Sequence, residues 1–197
     1  MQFEAIEDPL EKVEEFRAQA KSAKLALPEA MTLATVSPEG RPRARVVLLK
    51  GRSDRRLHFF TNYESGKARD LAANPFAEVC IHYPSLALQA RVRGGVAKLS
   101  PAESEAYFAT RPRESQIGAW ASAQSRVLGT REELDARVQR YEAQFATAES
   151  VPCPPHWGGY ALEAEEVELW VGQSGRLHDR AIYKYVAGAW RCERLFP

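Results

Sequence analysis

The sequence predicts a mainly β protein, an antiparallel barrel with helices packed on its outside. Three observations lead there. β-rich runs outnumber helical ones, most follow one another with only Pro/Gly-type turns between them, and the longest is interrupted by a pair, Gly94-Gly95, of the kind that bends a strand. With 197 residues, 45% of them hydrophobic, the chain is read as one domain, 1–197, with a real core.

Asp8-Pro9 has the form of an N-cap followed by proline at the first helical position. Leu10, Val13, Phe16, Ala20, Ala23 and Leu27 then recur at helical spacing, predicting one amphipathic helix ended near Pro28. Met31–Val36 and Ala44–Leu49 flank the turn Ser37-Pro38-Glu39-Gly40 and read as a hairpin. Leu57–Thr61 is a third strand, and Ser65–Ala72 is a short helix. Ala77–Tyr83 and the run Leu86–Leu99 are strands, the second bulged or bent at Gly94-Gly95. Ser100-Pro101-Ala102-Glu103 is a capping box that starts a helix to about Thr110. Thr130–Ala148 is a longer helix with Leu134, Val138, Tyr141 and Phe145 on one face, and the stretch between these two helices has no assigned element. After the Pro-rich turn Val151–Pro155 the chain returns to strands at Tyr160–Leu162, Val167–Val171, Ala181–Val186 and Trp190–Arg194.

Composition excludes several function classes. Lys plus Arg number 27 against 26 Asp plus Glu, so no whole-molecule field recruits nucleic acid or an anionic membrane, and any anion site must be local. Cys80, Cys153 and Cys192 are odd in number, far apart and without metal-ligand spacing to the four histidines. They read as thiols in a reducing compartment, and no metal is expected. The opening MQFEAIEDPLEKVEEF is acidic and amphipathic, and no apolar run approaches a membrane span, which places the expectation in the cytoplasm.

Four segments could carry chemistry. In Arg45-Val46-Val47-Leu48-Leu49-Lys50 a cation stands at each end of a strand. Alternation puts Arg45 with Val47 and Leu49 but Lys50 on the other face, so the strand bends, or the two serve different anions, or both are solvated strand ends. In Phe59–Lys67, Thr61, Ser65, Lys67 and the free N–H groups of a helix start could hold a phosphate; an ordinary Ser cap beside a surface lysine is the alternative. In Tyr107–Trp120, Tyr107 and Arg111 stand at i and i+4 on a helix and Ser115 follows once Pro112 has turned the chain. A phenol, a forked guanidinium and a hydroxyl suit a phosphomonoester; arginines at a helix C-terminus complementing its dipole are the alternative. In Trp170–Arg180, strand alternation would place Arg176, His178 and Arg180 on one face, either a site needing a partner or a charged edge strand. Arg52–Arg56 reads as a solvated turn, Phe59, Trp157 and Trp190 as core aromatics, and His58, His82 and His156 as chemically idle.

In order, RVVLLK (45–50), FFTNYESGK (59–67), YFATRPRESQIGAW (107–120), Gln124-Ser125, WGGY (157–160) and RLHDR (176–180) resemble the pyridoxine/pyridoxamine 5′-phosphate oxidase family over roughly Asp8 to Pro197. The resemblance implies the split β-barrel of flavin mononucleotide (FMN)-binding proteins, a homodimer with flavin at the subunit interface, and no nucleic-acid or membrane partner. It implies oxidation of pyridoxamine or pyridoxine 5′-phosphate by dioxygen to pyridoxal 5′-phosphate and hydrogen peroxide, with hydride passing to flavin N5. FMN contacts carry over onto Arg45, Val46, Val47, Leu48, Leu49, Lys50, Phe60, Thr61, Lys67, Gln89, Gln124, Ser125, Trp170 and Arg180. Substrate contacts carry over onto Lys50, Tyr107, Arg111 and Ser115 for the phosphate, and onto Arg176 and His178, the implied catalytic pair, near the ring. Two departures stand out. Many relatives have arginine where this chain has Gly66, so one flavin-phosphate contact is missing or is made by Arg69. The sequence also starts close to its first helix, without the basic extension that folds over the substrate in some relatives, which would reduce closure of the site.

Overall fold

The computed structural model describes residues 3–197; Met1 and Gln2 lie outside them. One mainly antiparallel sheet is built from β1 (Ala30–Val36), β2 (Pro42–Leu48), β3 (Gly51–Ser53), β4 (Arg56–Asn62), β5 (Phe76–Tyr83), β6 (Leu88–Lys98), β7 (Trp157–Val171), β8 (Asp179–Val186) and β9 (Ala189–Leu195). Its order is β2-β1-β5-β6-β7-β4-β3, with β8 on the far half of β7 and β9 beyond β8. The helices are α1 (Pro9–Ser22), α2 (Gly66–Ala73), α3 (Pro101–Ala109), α4 (Arg113–Ala121) and α5 (Arg131–Gln144). The sheet curls without closing. Its two ends meet where β2 runs into β3, and there only the N–H of Leu49 bonds to Glu29 O and that of Lys50 to His58 O. The expected β-rich barrel with peripheral helices is thus present in split form.

Alternation along the strands sends Met31, Leu33, Val79, Ile81, Ala90, Val92, Val167, Leu169, Ala181 and Tyr183 into one core, which α1 completes with Leu10, Val13, Phe16 and Ala20. A smaller cluster joins Phe108, Ile117, Phe145, Val151 and Trp157 under α3, α4 and α5. The outer face of β6, β7 and β8 is polar: Gln89 registers with Trp170 and Trp170 with Arg180, and the buried Glu168 accepts from both Arg91 and Arg180.

Several expectations need correction. α1 stops at Ser22, not near Pro28, because Lys24 turns left-handed (φ 55°) and closes the helix with bonds from Lys24 N to Lys21 O and from Leu25 N to Ala20 O. Ala23 therefore only caps the helix, and Leu27 is 63% exposed. Tyr160–Leu162 and Val167–Val171 are not two strands but parts of the single 15-residue β7. The acidic stretch between them stays in the ladder because Glu163 faces Arg55 and Glu166 faces Arg93. The unassigned segment after Pro112 is the helix α4, stabilised by Ile117 in the smaller core, by the buried Ala121 and by Gln116 Nε2 donating to Phe108 O at 2.9 Å. Its apolar content was too low to show a period. Finally, 176–180 is not one strand. Ser174–Arg176 is a 3₁₀ turn with Arg176 at φ 63°, and β8 begins only at Asp179 and is flanked on both sides, so it is no edge.

The expected bulge at Gly94-Gly95 is present, as a register shift between Arg93 and Gly94 opposite β7. A Cβ on Gly94 would lie 1.8 Å from the carbonyl oxygen of Glu163, a backbone atom that no rotamer moves, whereas one on Gly95 meets only Glu165 Oε1 at 3.8 Å. Gly94→Ala is expected to lower stability by at least about 2 kcal/mol and Gly95→Ala by less than about 1 kcal/mol in urea unfolding. Equal effects at the two positions would show that the close approach is not what requires glycine.

Candidate active site

A cleft of about 630 Å³ opens where the two cores meet. Its lining includes Arg45 to Leu48, Lys50, Phe60, Thr61, Lys67, Tyr107, Arg111, Ser115, Gln124 and Trp157. The alternation puzzle at 45–50 resolves locally: β2 ends at Leu48 and the chain turns at Leu49-Lys50, so Arg45 and Lys50 reach one cleft despite their strand parity. Leu49 itself is core, 1% exposed.

At one end of the cleft, Ser65 caps α2 and Lys67 follows in its first turn. Lys67 Nζ donates to Gln124 Oε1 (2.7 Å), Thr61 Oγ1 (2.9 Å) and Ser65 Oγ (3.3 Å), none of them charged. Burial, and then the nearby charge of Arg45, push its ammonium down to about 8. Arg45 is fixed from beneath: Nη1 donates to Thr35 Oγ1 at 2.6 Å and to Leu33 O, and Nη2 reaches the fully buried carboxylate of Asp70 at 3.4 Å. Gly66 lies beside them, with room for a Cβ in ordinary contact with its neighbours. A Cβ there would lie 3.8 Å from Ser125 Oγ and 3.9 Å from Arg69 Nη2, so the Arg69 guanidinium comes alongside the position without a side chain. This part of the cleft has two cations and a helix start; Asp70 balances Arg45, while the partners of Lys67 are all uncharged.

At the other end, Tyr107 lies in the last turns of α3, Arg111 in the α3–α4 connection and Ser115 in the first turn of α4. The helix expected to carry Tyr107 and Arg111 together stops at Ala109, and Arg111 is held instead by its N–H bond to Phe108 O. Its guanidinium lies over the rings of Trp157 (4.6 Å to the centroid) and Phe108 (5.4 Å), and burial disfavours its charge. Among the described residues, Arg111 Nη1 is buried without a hydrogen-bond partner. A buried, unpaired guanidinium nitrogen is costly unless a ligand completes it, and its fork matches phosphate or carboxylate oxygens.

The remaining expected site residues lie elsewhere. Gln89, Trp170 and Arg180 form a row across β6, β7 and β8, with the His178 ring 4.6 Å from that of Trp170 and Arg176 exposed on its turn; none of the five lines the cleft. Trp157, read from sequence as a core aromatic, does line it. Its place in the WGGY motif was the available signal, but alternation and burial cannot distinguish a cleft wall from a core. Among the described residues no group of three or more His, Cys, Asp or Glu could hold a metal, and no helix is long and apolar enough to cross a membrane.

Residues 16–145 match the family described as pyridoxamine 5′-phosphate oxidase, and residues 157–197 match the pyridoxine 5′-phosphate oxidase C-terminal dimerisation region. The chain belongs to the pyridoxamine 5′-phosphate oxidase family. It is 51% identical over 191 residues to a pyridoxine/pyridoxamine 5′-phosphate oxidase of Cupriavidus necator, covering 96% of this chain and 89% of that one. It is 46% identical over 190 residues to one of Myxococcus xanthus, covering 96% and 92%. Family membership at this level makes the chain an oxidoreductase. Among solved structures, PhzG from Burkholderia lata, in complex with tetrahydrophenazine-1-carboxylic acid, superposes with a TM-score of 0.92 at 30% identity, covering 98% of this chain and 94% of that one. A related FMN-binding protein of Nostoc punctiforme gives 0.76 at 19% identity, covering 96% and 98%, a likeness of fold. The split-barrel assignment of this family member rests on these two neighbours and on its own open, curled sheet.

Proposed function

We propose that the chain is an FMN-dependent oxidase, one catalytic domain acting as a homodimer. It oxidises pyridoxamine 5′-phosphate or pyridoxine 5′-phosphate to pyridoxal 5′-phosphate and reduces dioxygen to hydrogen peroxide; with the amine substrate one water is consumed and ammonia is released. The observation that carries this reading is the cleft itself, which brings Arg45, Lys50, Lys67 and Arg111 onto one lining with the hydroxyls of Thr61, Tyr107 and Ser115, while Lys67 has only uncharged partners. Two cationic ends in one cleft suit two phosphorylated rings.

In this reading Arg45, Thr61, Lys67, Gln124 and Ser125 hold the FMN phosphate, with Arg69 supplying the cation that Gly66 does not. Val46 to Lys50 and Phe60 border the flavin, and bound FMN supplies the two-electron acceptor that no side chain provides. Lys50, Tyr107, Arg111 and Ser115 bind the substrate phosphate and so fix the position of its ring. Gln89, Trp170 and Arg180 reach FMN, and Arg176 and His178 reach the substrate ring, from the second subunit. This accounts for their separation from the cleft within one chain, and Trp170, Arg176, His178 and Arg180 all fall in the segment matched as a dimerisation region. Arg176 polarises the ring, and His178 orients it or helps move a proton. The free thiols of Cys80, Cys153 and Cys192 suit a reducing, cytoplasmic setting.

The likeness to PhzG favours a second reading, in which a tricyclic carboxylic acid takes the place of the phosphate ester. Hydroxyls from Tyr107 and Ser115 beside Arg111 and Lys50 give more donors than a carboxylate uses, which supports the ester. The test is direct. Purified protein is expected to show flavin absorbance and to release peroxide on adding pyridoxamine 5′-phosphate, faster with added FMN. Flavin-loaded protein that releases peroxide only with a dihydrophenazine carboxylic acid would replace this reading with the second.

A further inference from the structure

Arg111 has no carboxylate among the groups that act on its charge. Its planar group rests instead on Trp157, 4.6 Å from the ring centroid and within the range of a cation–π contact. Trp157 is itself immobilised. It is 8% exposed, stacked within 14° of Phe60 and 7° of Tyr107, and set edge to face against Phe108 at 5.0 Å. A carboxylate partner would orient the guanidinium but neutralise the charge an anion needs. An aromatic platform orients it and leaves its charge and its donors available.

We propose that Trp157 is a positioning residue for the reaction: its ring holds the Arg111 guanidinium flat at the cleft wall, where its charge meets the substrate phosphate, and so sets the preference for phosphorylated over unphosphorylated substrate. This rests on the reading of Arg111 as a substrate-phosphate ligand. The experiment compares steady-state kinetics of Trp157→Leu, Trp157→Phe and wild type with pyridoxamine 5′-phosphate and with pyridoxamine, at saturating FMN. Trp157→Leu is expected to raise KM for the phosphate ester about tenfold with kcat within about threefold, and to lower kcat/KM for pyridoxamine far less than for the ester, so that the preference for the ester falls several-fold. Trp157→Phe, which keeps a smaller π face, is expected to restore most of the preference. Should the Leu variant fail to fold by thermal melting, Trp157→Met, which fills volume without a π face, is held to the same expectation. An unchanged preference in Leu or Met, or equal losses on both substrates, would overturn the proposal while leaving the function intact. A wild type indifferent to the phosphate would overturn the reading of Arg111 and the proposal with it.

Discussion

Arg111→Ala is expected to raise KM for pyridoxamine 5′-phosphate by between about thirtyfold and several thousandfold, while kcat falls by no more than about threefold. The range corresponds to the roughly 2–5 kcal/mol lost when one partner of a buried, charged hydrogen-bonded pair is truncated. Its size follows from the site: Arg111 is half-buried at the cleft wall, its guanidinium lies over Trp157 and Phe108, and burial already disfavours its charge until an anion meets it. The phosphate lies away from the bond being oxidised, so its contact is made equally in ground and transition states and appears in KM. Arg111→Lys is expected to fall between, since an ammonium retains charge but not the fork. Equal losses in kcat and KM would contradict a binding role and place Arg111 in the chemical step.

Lys67→Met is expected to weaken FMN binding by about 2–5 kcal/mol while changing riboflavin binding little, because only FMN carries the phosphate. The wild-type affinity should also depend on pH in a defined direction. In the free protein the Lys67 ammonium is lowered to about 8 by burial and by Arg45, and a phosphate beside it favours the charged form. FMN affinity should therefore be level below about pH 8 and fall above it, by up to tenfold per pH unit, as the amine must first regain its proton. The Met variant should lose this slope, which fluorescence titration of apoprotein between pH 7 and 9.5 would read. The same shift acts on folding with opposite sign. The unfolded chain holds the proton up to about 10.5, so for apoprotein this group favours the folded state increasingly as pH rises from about 8 to 10.5. A flat affinity profile in wild type would remove Lys67 from the phosphate site.

Legibility in the sequence followed the range of the interactions. Asp8 and Ser100 act as N-caps of α1 and α3, as read, and Ser65 caps α2, the alternative named for it, because a cap bonds within three residues of itself; Thr130, read as the first helical residue, is the cap of α5. The left-handed Lys24 was not readable, since the usual glycine signal is absent there. α4 was not readable because its single polar core residue, Gln116, is satisfied by a carbonyl eight residues away. In the site, the ordered motifs named each cation that lines the cleft, Arg45, Lys50, Lys67 and Arg111, whereas strand alternation left open how Arg45 and Lys50 relate, which the end of β2 at Leu48 decides. Trp157 looked like core because a wall and a core are the same pattern in one dimension.

By itself, the sequence determined the strand runs and their turns, the capped helix starts, the bulge glycine and the family, all of which depend on local periodicity or on side-chain chemistry in fixed order. Only the tertiary structure decided that the acidic middle of β7 remains a strand, that Arg111 sits on Trp157 with one nitrogen unpaired, and that 176–180 stands apart from the cleft. Those outcomes depend on charges, rings and carbonyls brought together from distant positions, where the free energy of a residue is set by what lies against it and not by its neighbours along the chain.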